Sequence, residues 1–249
     1  MFNTTNALVL REVKYKEADR ILTLLTDKEG KITVKARGAY RKNSKIGAAT
    51  QQLTYSEMTL FGNRGRWTVN EASVKEAFSG LRSDMESLSL ASYFSECIEA
   101  FSIEEQPEPA LLQLILNSLY ALSRGLYPPE HIKAAFELRL MCICGYTPEL
   151  SICSGCGCEE PEEPVLNIDS GAVFCRRCSY GVSGDTASLC NSSLAAMRYI
   201  CAAPAKQLFS FSLDATALKR LSGAAERYLL RHAERSFYTL DYWKNIRTI

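Results

Sequence analysis

The sequence predicts an α+β fold, in which a small β-barrel is followed by an all-helical domain with a cysteine-rich insertion. Three observations point to this fold. Apolar residues alternate with a period of two over residues 4–75, the period changes to 3.6 from residue 83, and two CxxC pairs interrupt the helical run. The hydrophobic content of 47% and the charged content of 23% are those of a folded globular chain.

Five strand-like segments, separated by turn sequences such as DKEG and GNRGR, fill the N-terminal part: ALVLREV, RILTLLT, KITVKA, LTYSEMTLF and RWTVNEASV. Five short strands within about 70 residues are the number expected of a barrel of the oligonucleotide/oligosaccharide-binding (OB) type. We therefore assign residues 1–80 to an OB-fold domain.

Basic residues are concentrated in this barrel. Residues 1–80 contain 14 Lys or Arg and 8 Asp or Glu, whereas the rest of the chain contains 15 and 20. The segment RGAYRKNSKIGAATQ, between the third and fourth strands, is basic and has no apolar periodicity. We predict an exposed basic loop there.

Residues 81–249 are predicted to form the helical domain, and residues 150–182 an insertion within it. SDMESLSLASYFSECIEAF begins the first helix, with Ser83 as its N-cap and Glu86 as the capping-box partner. EPALLQLILNSLYALSRG and PPEHIKAAFELRLMCICGYTP follow, each with glycine at its end. Two later helices are predicted in NSSLAAMRYICAA and LDATALKRLSGAAERYLLRHAERS, the second capped by Asp214.

The insertion carries the cysteine pairs. Cys153 and Cys156 form one CxxC pair, Cys175 and Cys178 form the other, and 18 residues lie between the pairs. This spacing is typical of a tetrahedral four-thiolate zinc site. Cys158 competes with Cys156 as a ligand, at a less typical spacing. We predict a structural Zn²⁺ ion bound by the two CxxC pairs.

Catalytic use of these thiols has weaker support. A redox CxxC motif would begin a helix beside a βαβ unit, and no such unit is visible. A catalytic zinc keeps an open position, but His131 and His232 are the only histidines, and His131 lacks the x-Glu of zinc deaminases. Phosphate-loop, dinucleotide, HExxH and GxSxG motifs are missing as well. We expect no enzymatic activity, with a metalloenzyme that depends on Cys175 as the alternative.

The other cysteines outside the insertion lie among apolar helical residues, and we expect them to be small buried hydrophobic side chains: Cys97, Cys142, Cys144, Cys190 and Cys201. The chain shows no signal peptide and no apolar run of the roughly 20 residues that span a bilayer. Reduced thiols in a cytoplasmic protein are therefore expected.

The positive charge of the barrel predicts a surface for nucleic acid. Its candidates lie on strand ends and loops: Arg11, Lys14, Lys16, Lys35, Arg37, Arg41, Lys42, Lys45, Arg64 and Arg66. Tyr40 and Trp67 are candidates for stacking on bases, although a place in the barrel core is equally consistent for Trp67. With so many cations around a few loops, phosphate contact is a better explanation than solubility alone.

The order of these features resembles a known family. YKEADRILTLLTDKEGKITVKARGAYRKNSK resembles the N-terminal barrel of the RecO family of bacterial recombination mediators. YFSECIEAF, FELRLMCICGYTPELSICSGCG and GAVFCRRC resemble the helical domain and the zinc knuckle of that family. The resemblance covers essentially the whole chain.

The resemblance implies a non-enzymatic, nucleoid-associated protein that binds single- and double-stranded DNA and anneals complementary strands. With RecR it would load the RecA recombinase on DNA coated with single-strand-binding protein. DNA contact would fall first on Arg37, Arg41, Lys42 and Lys45, supported by Arg11, Lys14 and Lys35. Arg139 is the candidate for the cationic rim that would meet the acidic C-terminal tail of the single-strand-binding protein. A module for structured RNA, which would share the barrel, is the alternative.

Overall fold

The structure, a computed structural model, describes residues 1–63 and 65–247. It forms two compact units, one built from Met1–Arg124 with the C-terminal segment from Phe237, and one built from Gly125–Ser236. The predicted fold class is confirmed, since a closed five-stranded barrel precedes the helices and the four cysteines of the two CxxC pairs lie together. No helix in the described ranges is long and apolar enough to cross a membrane.

The barrel closes in the order β1-β2-β3-β5-β4. Its strands are β1 (Phe2–Tyr15), β2 (Asp19–Thr26), β3 (Gly30–Ala36), β4 (Tyr55–Asn63) and β5 (Arg66–Glu76). All pairings are antiparallel except that of β3 with β5, a short parallel seam in which Val34 faces Trp67 and Lys35 faces Thr68. Alternate residues of the strands fill the interior, among them Val9, Leu22, Leu24, Val34, Met58 and Leu60.

Three helices belong to the same unit as the barrel: α1 (Met85–Phe101), α2 (Pro109–Ser123) and α7 (Tyr238–Ile246). The predicted N-cap of α1, Ser83, is wrong by one residue. Asp84 caps the helix, because its carboxylate accepts hydrogen bonds from the amides of Glu86 (3.3 Å) and Ser87 (2.9 Å). Ser83 instead ends a short 3-10 turn and donates its hydroxyl to the Gly80 carbonyl at 2.7 Å.

The second unit contains α3 (Pro129–Ile143), α5 (Asn191–Ala202) and α6 (Ala215–Ala233). Asp214 caps α6 as predicted, accepting from the Ala217 amide at 2.9 Å. Between α3 and α5 lies a small sheet in the order β7-β6-β8, with β6 at Val165–Asn167, β7 at Val173–Phe174 and β8 at Thr186–Ser188. A single turn, α4 (Arg176–Ser179), follows β7 and carries the second cysteine pair to this sheet.

Candidate metal centre and nucleic-acid surface

The structure brings together the sulfur atoms of the four predicted ligands. Those of Cys153, Cys156, Cys175 and Cys178 all lie within 4.8 Å of one another, and no other such group of potential ligands is found among the described residues. The thiol of Cys158 is outside the group. Four converging thiols are the donor set that zinc and iron prefer in tetrahedral protein sites, so the side chains present fit the predicted metal.

Backbone hydrogen bonds shape the turn of the first pair. The Cys153 amide donates to the Cys158 carbonyl at 2.8 Å, and the Gly157 amide donates to the Cys153 carbonyl at 2.8 Å. Gly157 adopts a φ of 75°, a left-handed conformation that glycine tolerates without steric cost. The turn thus points Cys153 and Cys156 at one centre, and the Cys158 thiol is not part of that group.

The second pair packs closely on the first. A Cβ added to Gly155 would lie 2.7 Å from Cβ and 2.8 Å from Sγ of Cys178, so the turn approaches α4 more tightly than any larger residue allows. The Cys175 amide donates to the Cys153 sulfur at 3.2 Å, which links the two pairs directly.

The backbone around Cys153 favours its thiolate. Burial alone would raise the pKa of Cys153, but amide hydrogens of Cys175, Cys156 and Gly155 point at its sulfur and lower that pKa to about 6. The thiolate is the form that binds metal. Hydrogen bonding with Cys175, followed by burial, raises the pKa of Cys178 to about 12. A divalent cation at the centre would reverse this effect, because a thiol that coordinates such a cation is deprotonated.

The two arginines between the ligands have different surroundings. Arg176 forms an ion pair with Glu163 at 2.8 Å, and its amide donates to the Glu162 carbonyl at 3.0 Å. Arg177 is exposed. Arg176 therefore ties the segment before β6 to the second cysteine pair.

A groove of about 770 Å³ runs over the parallel seam of the barrel. Three of its lining residues are cationic, Lys35, Arg37 and Arg66, and three are aromatic, Tyr15, Phe61 and Trp67. The Tyr15 ring also lies 4.8 Å from the Lys35 ammonium. Positive charge beside exposed ring faces is the chemistry that holds single-stranded nucleic acid through phosphates and stacked bases.

Trp67 lies where the barrel core and the groove meet, so its stacking on bases stays a prediction beside its place in the core. Its half-buried ring packs against the barrel core and also lines the groove. Gly62, its partner across the strands, leaves room for the indole, because an added Cβ would lie 2.8 Å from the ring. Tyr15 and Phe61 also line the groove but were not predicted from the sequence. The signal for Tyr15 was its place between Lys14 and Lys16 at the end of a strand.

The basic loop, residues 37–52, is fixed at its base by two residues of β2. Asp19 accepts from the Gly38 amide at 2.8 Å, and this hydrogen bond, followed by that from Lys35, lowers the pKa of Asp19. Arg20, buried, donates to the Gly47 carbonyl at 3.0 Å and lies over the Tyr40 ring at 4.3 Å. Hydrogen bonds with β2 therefore fix the conformation of the loop.

The predicted DNA-contacting cations fall into two groups. Arg11 is paired with Glu99 at 2.9 Å and Lys35 with Asp19 at 2.9 Å, so part of their charge is already neutralised. The others are exposed and form no ion pair with a described residue: Lys14, Arg37, Arg41, Lys42, Lys45 and Arg66. Arg64 lies outside the described residues. The charge available to phosphates is therefore greatest at the loop and the β5 end of the groove.

Arg139 lies half-buried on α3, and its guanidinium donates to the Ala203 carbonyl. Its neighbours Leu138 and Leu140 are fully buried. The rim role of Arg139 stays a prediction; the structure shows that the two leucines are not exposed beside it.

A closed basic barrel with an aromatic groove, joined to a helical unit with a four-thiol cluster, defines an OB-fold protein suited to binding nucleic acid. The family model described as "Recombination protein O N terminal" matches residues 1–78, and that described as "Recombination protein O C terminal" matches residues 82–241. The chain belongs to the RecO family of DNA repair proteins.

Two relatives match nearly the whole chain, and a third matches about two thirds of it. "DNA repair protein RecO" of Acetivibrio thermocellus is 34% identical over 245 residues, which are 98% of this chain and 97% of the relative. The protein of the same name from Alkaliphilus metalliredigens is 30% identical over 99% of this chain and all of its own. That of Heliobacterium modesticaldum is 39% identical over 66% of this chain and 58% of the relative.

Proposed function

We propose that the protein is a mediator of recombinational DNA repair. It binds single- and double-stranded DNA, anneals complementary strands, and acts with RecR to load RecA on DNA coated with single-strand-binding protein. The observation that carries the proposal is the barrel surface, where an aromatic and cationic groove meets an ordered loop of unpaired cations at Arg37. Membership of the RecO family supports the repair role.

The two parts of this surface suit different features of DNA. The loop offers Arg41, Lys42 and Lys45, exposed charges that meet phosphates of single strands and of duplexes alike. The groove adds ring faces, which stack on bases only where those bases are unpaired. One surface thus accepts a strand before pairing and the duplex after it.

Annealing follows from the same chemistry. Two DNA strands repel each other through their phosphates, and bound cations lower that repulsion. Because the groove is open, bases held at its edge stay accessible to a complementary strand. The protein acts in this step by binding alone, without a catalytic residue.

The partner contacts belong to the helical part of the chain in this proposal. The acidic tail of single-strand-binding protein requires a cation beside an apolar floor, and Arg139 is the cation we assign to it. Engagement of RecR and delivery of RecA would place the protein at the nucleoid, in the cytoplasm.

The four-cysteine centre has a structural role in this proposal. Cys153, Cys156, Cys175 and Cys178 would hold Zn²⁺, and with all four positions taken by thiolates no coordination site is left for a substrate. The ion would cross-link the insertion and stabilise it, because its strands of two or three residues bury little surface by themselves.

The test reverses charge in the loop. Arg41→Glu with Lys42→Glu should weaken binding of a labelled single strand, measured by fluorescence anisotropy at several salt concentrations. The log–log salt slope should fall by about 0.7 for each lost phosphate contact. Lys206→Glu with Lys219→Glu is the matched control, since both residues are exposed, are unpaired among the described residues and change net charge equally.

Annealing of complementary oligonucleotides coated with single-strand-binding protein, followed by energy transfer between labels, completes the test. The loop variant should anneal more slowly than both the parent and the control. Equal loss in loop and control variants would overturn the assignment of the loop. Stronger binding to a matched structured RNA than to DNA would favour the RNA-binding alternative.

A further inference from the structure

Two cysteines outside the metal centre lie in contact. Cys142, near the end of α3, and Cys201, near the end of α5, place their sulfur atoms 3.5 Å apart. Both side chains are partly exposed. Cys97, by contrast, is fully buried, as expected of a small hydrophobic side chain. Packing alone therefore accounts for Cys97 but does not explain why two half-buried cysteines lie with their sulfur atoms in contact.

The two thiols have unequal surroundings. Hydrogen bonding between the two sulfur atoms lowers the pKa of Cys142 to about 7 against the opposing effect of burial, with Thr147 and Arg139 adding to the shift. The same contact, followed by burial, raises the pKa of Cys201. One sulfur is therefore partly thiolate near neutral pH while its neighbour keeps its proton, the arrangement of an attacking thiol beside a resolving one.

We propose that Cys142 and Cys201 form an oxidisable dithiol whose oxidant is a hydroperoxide and whose product is a disulfide between α3 and α5. The Cys142 sulfur attacks one oxygen of the peroxide. The O–O bond breaks, the other oxygen leaves as an alcohol or water, and Cys142 becomes a sulfenic acid. The Cys201 sulfur then attacks that sulfenic sulfur. The S–S bond forms, the S–O bond breaks, and water departs with the Cys201 proton. Two thiols lose two electrons in all, and the peroxide gains them.

A disulfide between Cys142 and Cys201 would bridge the two sides of the cysteine insertion. All four predicted metal ligands lie in the chain between Cys142 and Cys201. A disulfide would close the insertion at its base, so that its two ends stay together when the metal is absent. The dithiol would thereby protect the fold of the second unit under the same oxidising conditions that attack zinc thiolates.

The experiment uses the full-length, zinc-loaded protein. Hydrogen peroxide is added in small excess and removed with catalase, free thiols are alkylated, and the protein is digested without reduction for mass spectrometry. We expect a cross-linked peptide pair containing Cys142 and Cys201, reversed by dithiothreitol, while zinc measured with a colorimetric chelator stays bound. Oxidised protein stripped of zinc should melt at a higher temperature than reduced protein stripped of zinc.

Two variants sharpen the result. Cys201→Ser should leave the Cys142 sulfenic acid unresolved, so that dimedone labels it, whereas Cys144→Ser, two residues from Cys142, should form the same disulfide as the parent. The proposal is overturned if Cys142 and Cys201 remain alkylatable after the zinc cysteines have been oxidised. It is also overturned if the parent accumulates dimedone-labelled Cys142 as readily as the Cys201 variant. The parent protein alone decides the first outcome, whether or not the variants fold.

Discussion

The buried guanidinium of Arg20 donates a hydrogen bond of 3.0 Å to the carbonyl oxygen of Gly47, across the base of the basic loop. The same guanidinium reaches the Thr50 hydroxyl at 3.1 Å and lies over the exposed ring of Tyr40. A single side chain thus joins β2 to both halves of residues 37–52. The conformation of the loop, and with it the spacing of its surface cations, therefore depends on a side chain that is itself buried.

Replacing Arg20 by lysine should loosen this loop while conserving charge. One guanidinium nitrogen reaches both the Gly47 carbonyl and the Thr50 hydroxyl, while the planar group lies over the Tyr40 ring. A lysine side chain is shorter and its ammonium has no planar face, so it cannot make these contacts together. We expect a loss of about 1–3 kcal/mol in the free energy of unfolding, the usual cost of leaving buried hydrogen-bonding groups unsatisfied. Amide hydrogen exchange over residues 37–52 should accelerate. Arg66→Lys, at an exposed and unpaired site, is the control and should leave both measurements unchanged.

Local patterns explain which parts of the fold are predictable from sequence. Alternation such as that in KITVKA marks the barrel strands, because each has one face in the core and one in solvent. The predicted cap at Ser83 fails since a 3-10 turn ends there and Asp84 is the first residue free to accept from the helix. Helix α7 was not predicted. It is short, and the burial of its Leu240 and Trp243 depends on packing against α1, which is distant in sequence.

The candidate sites divide in the same way. The metal ligands are predictable because each CxxC turn sets the geometry of two sulfurs locally. The groove is not, since Tyr15, Phe61 and Trp67 come from three strands and meet only when β3 and β5 close the barrel. Cys142 and Cys201 likewise meet through the packing of α3 on α5. Long-range pairing of this kind leaves no periodic signal in the sequence.

Loss of one motif cysteine should remove the metal and destabilise the insertion. Cys175→Ser is expected to abolish zinc binding, measured by metal analysis, and to lower the stability of the insertion by several kcal/mol, because structural zinc contributes about 10–16 kcal/mol of binding free energy in zinc-finger peptides. Hydrogen exchange over residues 150–190 should rise, and the barrel should retain its protection. Cys158→Ser is the matched control and should keep one zinc per chain, since its sulfur lies outside the cluster. Zinc retention by the Cys175 variant would contradict the ligand assignment.

The stability of the second unit should fall as the pH drops below 6.5, in part through His131. Its ring is stacked between Tyr127 and Phe211, and its Nε2 donates to the Phe209 carbonyl at 3.1 Å. Burial lowers the pKa of His131 below its ordinary value of 6.5, so the unfolded chain takes up the proton first. The neutral ring's contribution is therefore complete above pH 6.5 and declines as the pH falls towards the folded pKa.

His131→Phe keeps the stacking and removes the titration. Its free energy of unfolding should change less than that of the parent between about pH 7.5 and 5.5, a range above most carboxylate titrations. His232, whose pKa burial also lowers, should supply the remaining slope, which the double variant would flatten further. If His131→Phe had the same dependence of unfolding free energy on pH as the parent, the His131 ring of the parent would have to be protonated equally in the folded and unfolded states.

The groove should contribute to binding of single strands through Phe61. This ring is exposed on β4, lines the groove, and packs against Phe2 with 5.1 Å between ring centres. Phe61→Ala should weaken single-strand binding by about 1–3 kcal/mol, or roughly 5- to 150-fold, the range measured for loss of one base-stacking ring. Duplex binding should change less, because paired bases offer no free face to the groove. Phe2→Ala removes the same ring contact without altering a groove residue, so it separates stacking on DNA from packing within the barrel. Anisotropy titrations with matched single-stranded and duplex probes decide between these explanations. Equal losses of affinity in the two variants would assign the effect to packing within the barrel. A loss of affinity confined to Phe61→Ala and to the single strand would assign it to the groove.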